Sequence, residues 1–269
     1  MKTVARMNAK TTNQNMKIFI IIFLTFSLAG CLGHTPVTNR SQIVFMSPQE
    51  EKTLGADAYK EILAKSKLST NKAQSDRIKR IGQRIAKVAN KPDYNWEFTL
   101  VDEDQLNAFC LPGGKVVVYT GILKVAKNDA QLATVMSHEI AHALARHGAE
   151  RMAHQEISNT IGQIGAVLIS GYKPEYSQAF NVAYSTGVNV GVMLPFSRSH
   201  ESEADEIGVR LMYKAGYDVD EAVKFWENMK RMKGAQSSTN DFFSTHPSDD
   251  KRIAAIKKLA FELKHQKVK

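Results

Sequence analysis

The chain has 269 residues, of which 43% are hydrophobic and 23% are charged, a composition typical of a folded globular protein and not of a disordered or fibrous one. Its length allows one sizeable domain or two small ones. The net charge is +9, but basic and aromatic residues are not interleaved, which argues against a nucleic-acid-binding protein.

The first thirty residues are typical of a secretion signal. An apolar run at positions 18–28 follows Lys17 and is too short to be a membrane-spanning helix. It leads into Leu-Ala-Gly before Cys31, which resembles the lipobox of bacterial lipoproteins, in which this cysteine is lipidated after cleavage. Residues 1–30 are therefore predicted to be a lipoprotein signal peptide, with a plain secretory peptide as the alternative. Because Leu32 stands where an aspartate would retain the protein in the inner membrane, the resemblance implies an outer-membrane lipoprotein facing the periplasm of a Gram-negative bacterium.

A tether is predicted to follow the anchor. Residues 31–46 are rich in Thr, Ser, Pro and Asn, and one domain is predicted from residue 47 to residue 269. Residues 1–30 hold four basic and no acidic residues, so their removal would leave a net charge of +5, which is compatible with a position near anionic lipid. If Cys31 is lipidated, Cys110 is the one other cysteine and no intramolecular disulfide can form.

The first part of this domain is predicted to contain two helices followed by strands. One helix begins with Ser47 as its cap and Glu50 completing a capping box, and it ends near Lys65. A second is predicted at about 72–89, where isoleucines recur on one stripe. Strand patterns follow at 96–100, 107–111 and 115–119. The last two flank Pro112-Gly113-Gly114, which predicts a hairpin with a glycine-bearing turn.

The segment from Asp129 to about His147 is predicted to be an apolar helix that carries an HExxH motif. His138 and His142 are four residues apart on one helix face, a spacing that allows two imidazoles to bind one ion. Glu139 lies roughly 100° around the helix from His138, where it could reach a water molecule on the metal without being a ligand. The motif predicts metal-assisted hydrolysis, and an ordinary helix with histidines on its surface is the alternative.

A catalytic zinc site needs a third protein ligand. The continuation HExxHxxGxxH fails, because Ala145 and Gly148 occupy the positions of the glycine and the third histidine. His147 lies five residues after His142, which on one continuous helix would turn it away from the metal. It is predicted to be a C-terminal histidine that interacts with the helix dipole.

A later helix, predicted from Arg198 to about Ala215, supplies a better candidate. Glu201 and Asp205 are four residues apart on one face of it. Glu201 is predicted to be the third ligand, and Asp205 to accept a hydrogen bond from a ligand histidine. Glu203 is predicted to point elsewhere.

Residues 157–196 contain two apolar, glycine-rich segments that are each too short to span a bilayer. A buried helical pair is one interpretation, and a mobile lid or a membrane-touching hairpin over the site is the other. Further helices are predicted at 220–232 and from just after Pro247 to about Lys264, and the chain has no internal repeat.

Four ordered motifs together resemble a known enzyme family. They are HExxH, the later Ser197-Arg198-x-x-Glu201-x-x-Ala204-Asp205, the preceding Asn107-Ala108-Phe109 with Pro112-Gly113-Gly114, and the following His246-Pro247 with Arg252. This set resembles the zinc metallopeptidase family that contains HtpX, BepA and the CAAX prenyl protease, and among its members the periplasmic lipoprotein branch. The resemblance covers residues 50–256, and no array of tetratricopeptide repeats follows the peptidase part.

The resemblance implies an α+β fold that is mainly α-helical, a zincin-type metallopeptidase domain with a small β-sheet or hairpin next to the HExxH helix. It implies one Zn²⁺ per chain and hydrolysis of peptide bonds, with Glu139 moving the proton. It places His246 near the metal, either as a donor to the oxyanion of the reaction intermediate or as a fourth ligand that keeps the enzyme latent. Arg198 is predicted to pair with Asp205 or a nearby carboxylate, and solvation on the helix surface is the alternative.

An extended substrate is predicted to pair with the edge of one strand. The strand consists of Asn107, Ala108, Phe109, Cys110 and Leu111. Such pairing recognises backbone more than side chains and would suit unfolded or misassembled envelope proteins, with envelope assembly machinery as a further partner. Cys110 departs from the family, in which a small residue is common, and could leave a thiol near the cleft. A latent peptidase that acts as a chaperone or assembly factor is the alternative function, and a non-enzymatic lipoprotein with a closed structural metal site is a third.

Overall fold

The computed structural model describes residues 32–35, 37–182, 197–235, Phe242, His246 and 250–265. The helices are α1 (Pro48–Lys65), α2 (Lys72–Ala89), α3 (Asp129–Leu144), α4 (His147–Tyr172), α5 (Arg198–Lys214), α6 (Asp220–Ala235) and α7 (Asp250–His265). The strands are β1 (Leu32–His34), β2 (Ser41–Ile43), β3 (Glu97–Val101), β4 (Ala108–Leu111) and β5 (Lys115–Tyr119). Short 3-10 helices cover Thr120–Lys124 and Pro174–Tyr176. The predictions for residues 1–30 and Cys31 fall outside the described residues and stay predictions.

Local capping interactions set the helix starts. The Ser47 side chain accepts a hydrogen bond from the Glu50 backbone, and the Glu50 carboxylate accepts one from the Ser47 backbone at 2.8 Å, so the predicted capping box is confirmed. Asn128 caps α3 by accepting a hydrogen bond from the Gln131 backbone at 2.9 Å. The Gln131 side chain accepts a hydrogen bond from the backbone of Lys127 and not from that of Asn128, so this cap lacks the reciprocal bond that completes the capping box at Ser47.

The three-stranded sheet has the order β3-β5-β4. β4 and β5 form the predicted antiparallel hairpin, and its turn uses Gly113 and Gly114 at φ +83° and +88°, a conformation that favours glycine. β3 pairs with β5 in parallel, which the strand patterns alone did not indicate. β4 therefore lies at one end of this sheet, and it packs against α3.

Helix α3 forms the centre of the fold. Its residues 131–144 are all buried, because α2, α5, α6 and β4 pack around it. Gly208 marks the closest approach of α5: a Cβ atom there would lie 3.1 Å from the backbone nitrogen of His138. Glu201 is two helical turns before Gly208 and so shares its face. This close packing directs Glu201 towards the two histidines of α3.

The chain breaks sharply between α3 and α4. Arg146 adopts a left-handed conformation at φ +58°, and its side chain binds Glu51 and the carbonyl of Met46. The predicted continuous helix to His147 is therefore wrong, because α3 ends at Leu144 and His147 begins a new helix after the left-handed Arg146.

The N-terminal segment is folded and not simply extended. β1 and β2 pair in an antiparallel hairpin within the predicted tether, which we call the N-terminal hairpin (residues 32–35 and 37–43). Thr35 and Gln42 are buried in it. The content of Thr, Ser, Pro and Asn suggested a tether, but polar contacts with α4 and α5 hold the hairpin, and composition does not reveal such contacts.

A buried helical pair was one interpretation of residues 157–196, but the first half of this region is mostly exposed. It forms the long helix α4, whose later turns carry exposed Ile161, Ile164, Val167 and Leu168. The second half, 183–196, lies outside the described residues. Among the helices that the structure describes, none combines the length and apolar character needed to cross a membrane. The predicted class, α+β and mainly helical with a small sheet beside the HExxH helix, is confirmed.

Candidate metal centre

Four buried side chains converge at the centre of the fold. They are His138 and His142 from α3, Glu201 from α5, and His246 shortly before α7. Each offers one ligand atom, and these atoms all lie within 4.8 Å of one another. The structure thus brings together the three predicted ligands and the proposed fourth.

The spacing of these atoms fits a tetrahedral zinc ion. Ligand atoms at ~2.0–2.1 Å from such an ion lie roughly 3.3 Å from each other. The Nε2 atoms of His138 and His142 are 3.1 Å apart, and Glu201 oxygens lie 3.5 and 3.3 Å from them respectively. Nδ1 of His246 is 3.4 Å from His138 Nε2 and 2.9 Å from Glu201 Oε1. The donor set, three imidazoles and a carboxylate, also suits zinc.

Asp205 orients His138. Its Oδ1 lies 3.0 Å from His138 Nδ1, which leaves Nε2 directed at the cluster. Burial by itself lowers the pKa of His138, but interactions with Asp205 and Glu201 outweigh it and raise the pKa to about 9. The role of Asp205 as a hydrogen-bond acceptor for a ligand histidine stays a prediction, which this 3.0 Å separation motivates.

Arg252 of α7 holds both carboxylates. It donates to Asp205 from Nε and Nη2 at 2.6 and 2.8 Å, and its Nη1 lies 2.7 Å from Glu201 Oε2. Arg198, for which pairing with Asp205 and solvation on the helix surface were the two alternatives, is exposed, which agrees with solvation. The sequence included Arg252 in a motif but did not indicate its partner, because the contact joins α5 to α7.

Glu139 is buried at the edge of the cluster. Its Oε1 has no hydrogen-bond partner among the described residues and lies 3.6 Å from Nε2 of His246. Burial raises the pKa of this carboxyl group, while His246 and His138 act in the opposite direction. A buried carboxylate with a raised pKa and an available oxygen can serve as a general base.

His147 stands behind His142, contrary to the prediction that it faces the helix dipole. Its Nδ1 is 2.8 Å from Nδ1 of His142, and its Nε2 is 3.1 Å from Glu203 Oε2. The left-handed turn at Arg146 brings it there, so the expectation from a continuous helix was wrong. Glu203, predicted to point elsewhere, is turned from the ligand cluster itself but is buried against His147.

The predicted substrate strand lies next to the HExxH helix. Ala108, Phe109, Cys110 and Leu111 form β4, and Asn107 precedes it, accepting a hydrogen bond from the Tyr119 backbone at 3.0 Å. The Cys110 thiol donates to the carbonyl of Leu111 at 3.5 Å. Burial, and secondarily the Glu139 carboxylate, raise the pKa of this thiol, so it is protonated and a poor nucleophile at neutral pH.

Comparison with known proteins agrees with this site. Residues 72–260 match the family described as Peptidase family M48. The chain belongs to peptidase family M48. The predicted enzyme class, a zinc metalloendopeptidase, and the zincin-type domain are thereby confirmed.

Two groups of relatives are similar to this M48 chain. The mitochondrial metalloendopeptidase OMA1 of Schizosaccharomyces pombe is 36% identical over 84% of this chain and 65% of its own length. The OMA1 protein of Saccharomyces cerevisiae is 32% identical, over 88% of this chain and 73% of its own length. The beta-barrel assembly-enhancing protease of Escherichia coli is 28% identical over 81% of this chain. This chain spans 45% of the length of that protein, so the role of the whole E. coli protein is not assigned to this chain.

The predicted outer-membrane location is wrong by this comparison. Relatives from two yeasts, Arabidopsis thaliana and Bos taurus are named as mitochondrial proteins, which points away from a bacterial outer membrane. The family prediction is confirmed. The narrower assignment to a periplasmic lipoprotein branch is not supported, because the relatives include both mitochondrial OMA1 proteins and bacterial beta-barrel assembly-enhancing proteases.

Proposed function

We propose that this M48 protein is an endopeptidase that uses one zinc ion, held by His138, His142 and Glu201, to cleave extended segments of unfolded or misassembled polypeptides. The observation that carries the proposal is the convergence of four ligand atoms, all within 4.8 Å of one another, next to the buried Glu139 carboxylate. The OMA1 relatives, named metalloendopeptidases, and the beta-barrel assembly-enhancing proteases support it.

Each side chain has a separate task in this reaction. Zinc, when bound, polarises the scissile carbonyl and activates the attacking water. Glu139 accepts the proton of the water at Oε1 and delivers it to the departing amine. Asp205 and Arg252 hold His138 and Glu201 in place, so that these ligands need not rearrange during the reaction.

Strand β4 supports the choice of an extended substrate. It occupies the end of the three-stranded sheet and packs against α3, which carries Glu139. A peptide added along this strand would pair through its backbone, so the preference would be for unfolded chain and not for a particular sequence.

The substrate class can be tested with one protein in two states. We expect the enzyme to cleave a reduced, alkylated polypeptide and to leave its native, disulfide-bonded form intact, because a folded chain cannot add an extended strand. Peptide products are measured by mass spectrometry, with a zinc chelator as the control and added zinc to restore cleavage. Equal cleavage of both forms would contradict recognition of extended segments.

His246 favours a second, latent state of the same protein. Its Nδ1 lies in the ligand cluster, 3.4 Å from His138 Nε2 and 2.9 Å from Glu201 Oε1, so His246 would add a fourth protein ligand to a zinc ion held by the other three and would compete with water. We propose that this closed arrangement keeps the peptidase idle, and that the protein then acts as a chaperone or assembly factor.

Substitution of His246→Ala tests latency. We expect basal cleavage of the unfolded substrate to rise several-fold, because the substitution opens the fourth position. Initial rates are measured on zinc-loaded protein, with His265→Ala at the exposed end of α7 as the matched control. A fall in rate would instead identify His246 as a donor to the oxyanion, and an unchanged rate would exclude both roles.

A further inference from the structure

A chain of contacts runs from His142 to the N-terminal hairpin. For His142 to bind a metal through Nε2, its neutral ring must carry a proton on Nδ1. His147 Nδ1, 2.8 Å away, is then the acceptor of that proton, and His147 carries its own proton on Nε2. That proton points to Glu203 Oε2 at 3.1 Å, so the direction of every hydrogen bond is determined.

The N-terminal hairpin binds Glu203, the last residue in this series of contacts. Arg40 donates from Nε to Glu203 Oε2 at 2.7 Å, and the hydroxyl groups of Thr35 and Thr38 donate to the other oxygen. Glu203 is 5% exposed, and burying a carboxylate is costly unless it is paired. Arg40, Thr35 and Thr38 therefore supply the charge and the hydrogen bonds that pair the buried Glu203 carboxylate and hold it beside His147.

Arg40 is also linked to His147 through a second set of contacts, which involves Glu150 and His200. The two Nη atoms of Arg40 bind the Glu150 carboxylate at 2.8 and 2.7 Å, and Glu150 Oε2 lies 3.0 Å from His200 Nε2. The His200 ring stacks on His147 with centroids 4.4 Å apart. Arg40 thus bridges the carboxylate that binds His147 and the carboxylate that fixes the ring stacked upon it.

The two metal histidines are supported differently. His138 meets the carboxylate of Asp205 directly, within α3 and α5. For His142, His147 lies between the ligand and the carboxylate of Glu203. That carboxylate is paired with Arg40, which is more than a hundred positions away in the chain. His142 therefore depends on a segment outside the HExxH helix and outside the family match at 72–260.

We propose that His147, Glu203 and Arg40 are positioning residues that hold His142 in the tautomer that binds metal through Nε2. The N-terminal hairpin, which carries Arg40, would thereby stabilise the metal centre. This inference rests on the proposed metal binding at His142. It predicts that disturbing the hairpin weakens the metal site, which the hairpin reaches through Glu203 and His147.

The experiment measures the metal site itself and not turnover alone. The full chain is loaded with Co²⁺, whose visible absorption reports ligand geometry, and zinc affinity is measured by competition with a chelator. We expect His147→Phe, Glu203→Gln and Arg40→Ala to weaken zinc binding by about 10–100-fold, the range for outer-shell partners of metal ligands, and to change the cobalt spectrum.

Two further variants separate positioning from general stability. His147→Asn keeps an acceptor where Nδ1 stands, so it should recover most of the affinity lost in His147→Phe. Arg210→Ala removes an arginine whose ion pair, with Glu206 on α5, is partly exposed, and it should leave affinity and spectrum unchanged.

The outcomes distinguish this inference from the proposed function. If the wild-type chain binds no zinc, the proposed function fails. If it binds zinc, but folded His147→Phe and Glu203→Gln keep wild-type affinity and spectrum, the positioning role is overturned. Unfolding of all three variants without recovery in His147→Asn would also overturn it, because the network would then serve folding alone.

Discussion

Glu139→Gln is expected to lower kcat for hydrolysis of an unfolded polypeptide by about 10²–10⁴-fold, the usual contribution of a general acid or base. An amide of the same size cannot accept the proton of the attacking water. Zinc content should be unchanged, because Glu139 is not among the four side chains whose ligand atoms converge. Rates and bound zinc are measured on the same preparations.

The control for this substitution is Glu227→Gln on α6, which removes an exposed carboxylate and should leave kcat unchanged. The variant also separates the two proposed activities: a chaperone role that needs no cleavage should survive it. Because the variant keeps its metal, it can hold substrates for identification by mass spectrometry. Wild-type turnover by a zinc-loaded Glu139→Gln protein would contradict the peptidase assignment.

Glu201→Ala is expected to weaken zinc binding by more than the ~100-fold upper range for outer-shell partners, because it removes a ligand. Zinc at a thousandfold excess over its Kd stabilises a protein by about 4.1 kcal/mol, and a 100-fold weaker Kd reduces this to about 1.4 kcal/mol. The wild type should thus gain markedly more unfolding free energy from zinc than the variant. Denaturant unfolding with and without zinc measures the difference.

The same substitution also affects the metal-free protein. Glu201 is fully buried, and Arg252, 5% exposed, would lose this carboxylate partner. Removal of one member of a buried ion pair costs about 3–5 kcal/mol. Glu206→Ala on the same helix removes a partly exposed carboxylate and should have little effect in either assay. An unchanged zinc-dependent stabilisation in folded Glu201→Ala would exclude Glu201 as a ligand.

Short-range patterns determined much of this protein. The caps at Ser47 and Asn128, the glycine turn at Gly113-Gly114 and the four-residue spacings all depend on contacts between residues near in sequence. Such contacts follow from helix and turn geometry alone, so the elements, the HExxH face and the Glu201–Asp205 face were predictable. The same spacing on the later helix indicated that Glu201 would be the carboxylate that reaches the histidines.

The sequence alone did not reveal which side chains support the metal ligands. Arg252 and not Arg198 meets Asp205, because α7 packs against α5 there. His147 stands behind His142, because the left-handed Arg146 turns the chain back after α3. Neither contact follows from a helical period, since each depends on where a second element lies.

What the sequence by itself determined is the chemistry: two imidazoles, a base and a carboxylate at spacings that helices bring onto one face. Only the tertiary structure decided how that chemistry is held, with Arg252 between two carboxylates and Arg40 of the N-terminal hairpin behind His142. The physical reason is that a buried charge needs a partner, and in a folded chain that partner can come from any segment that packs nearby.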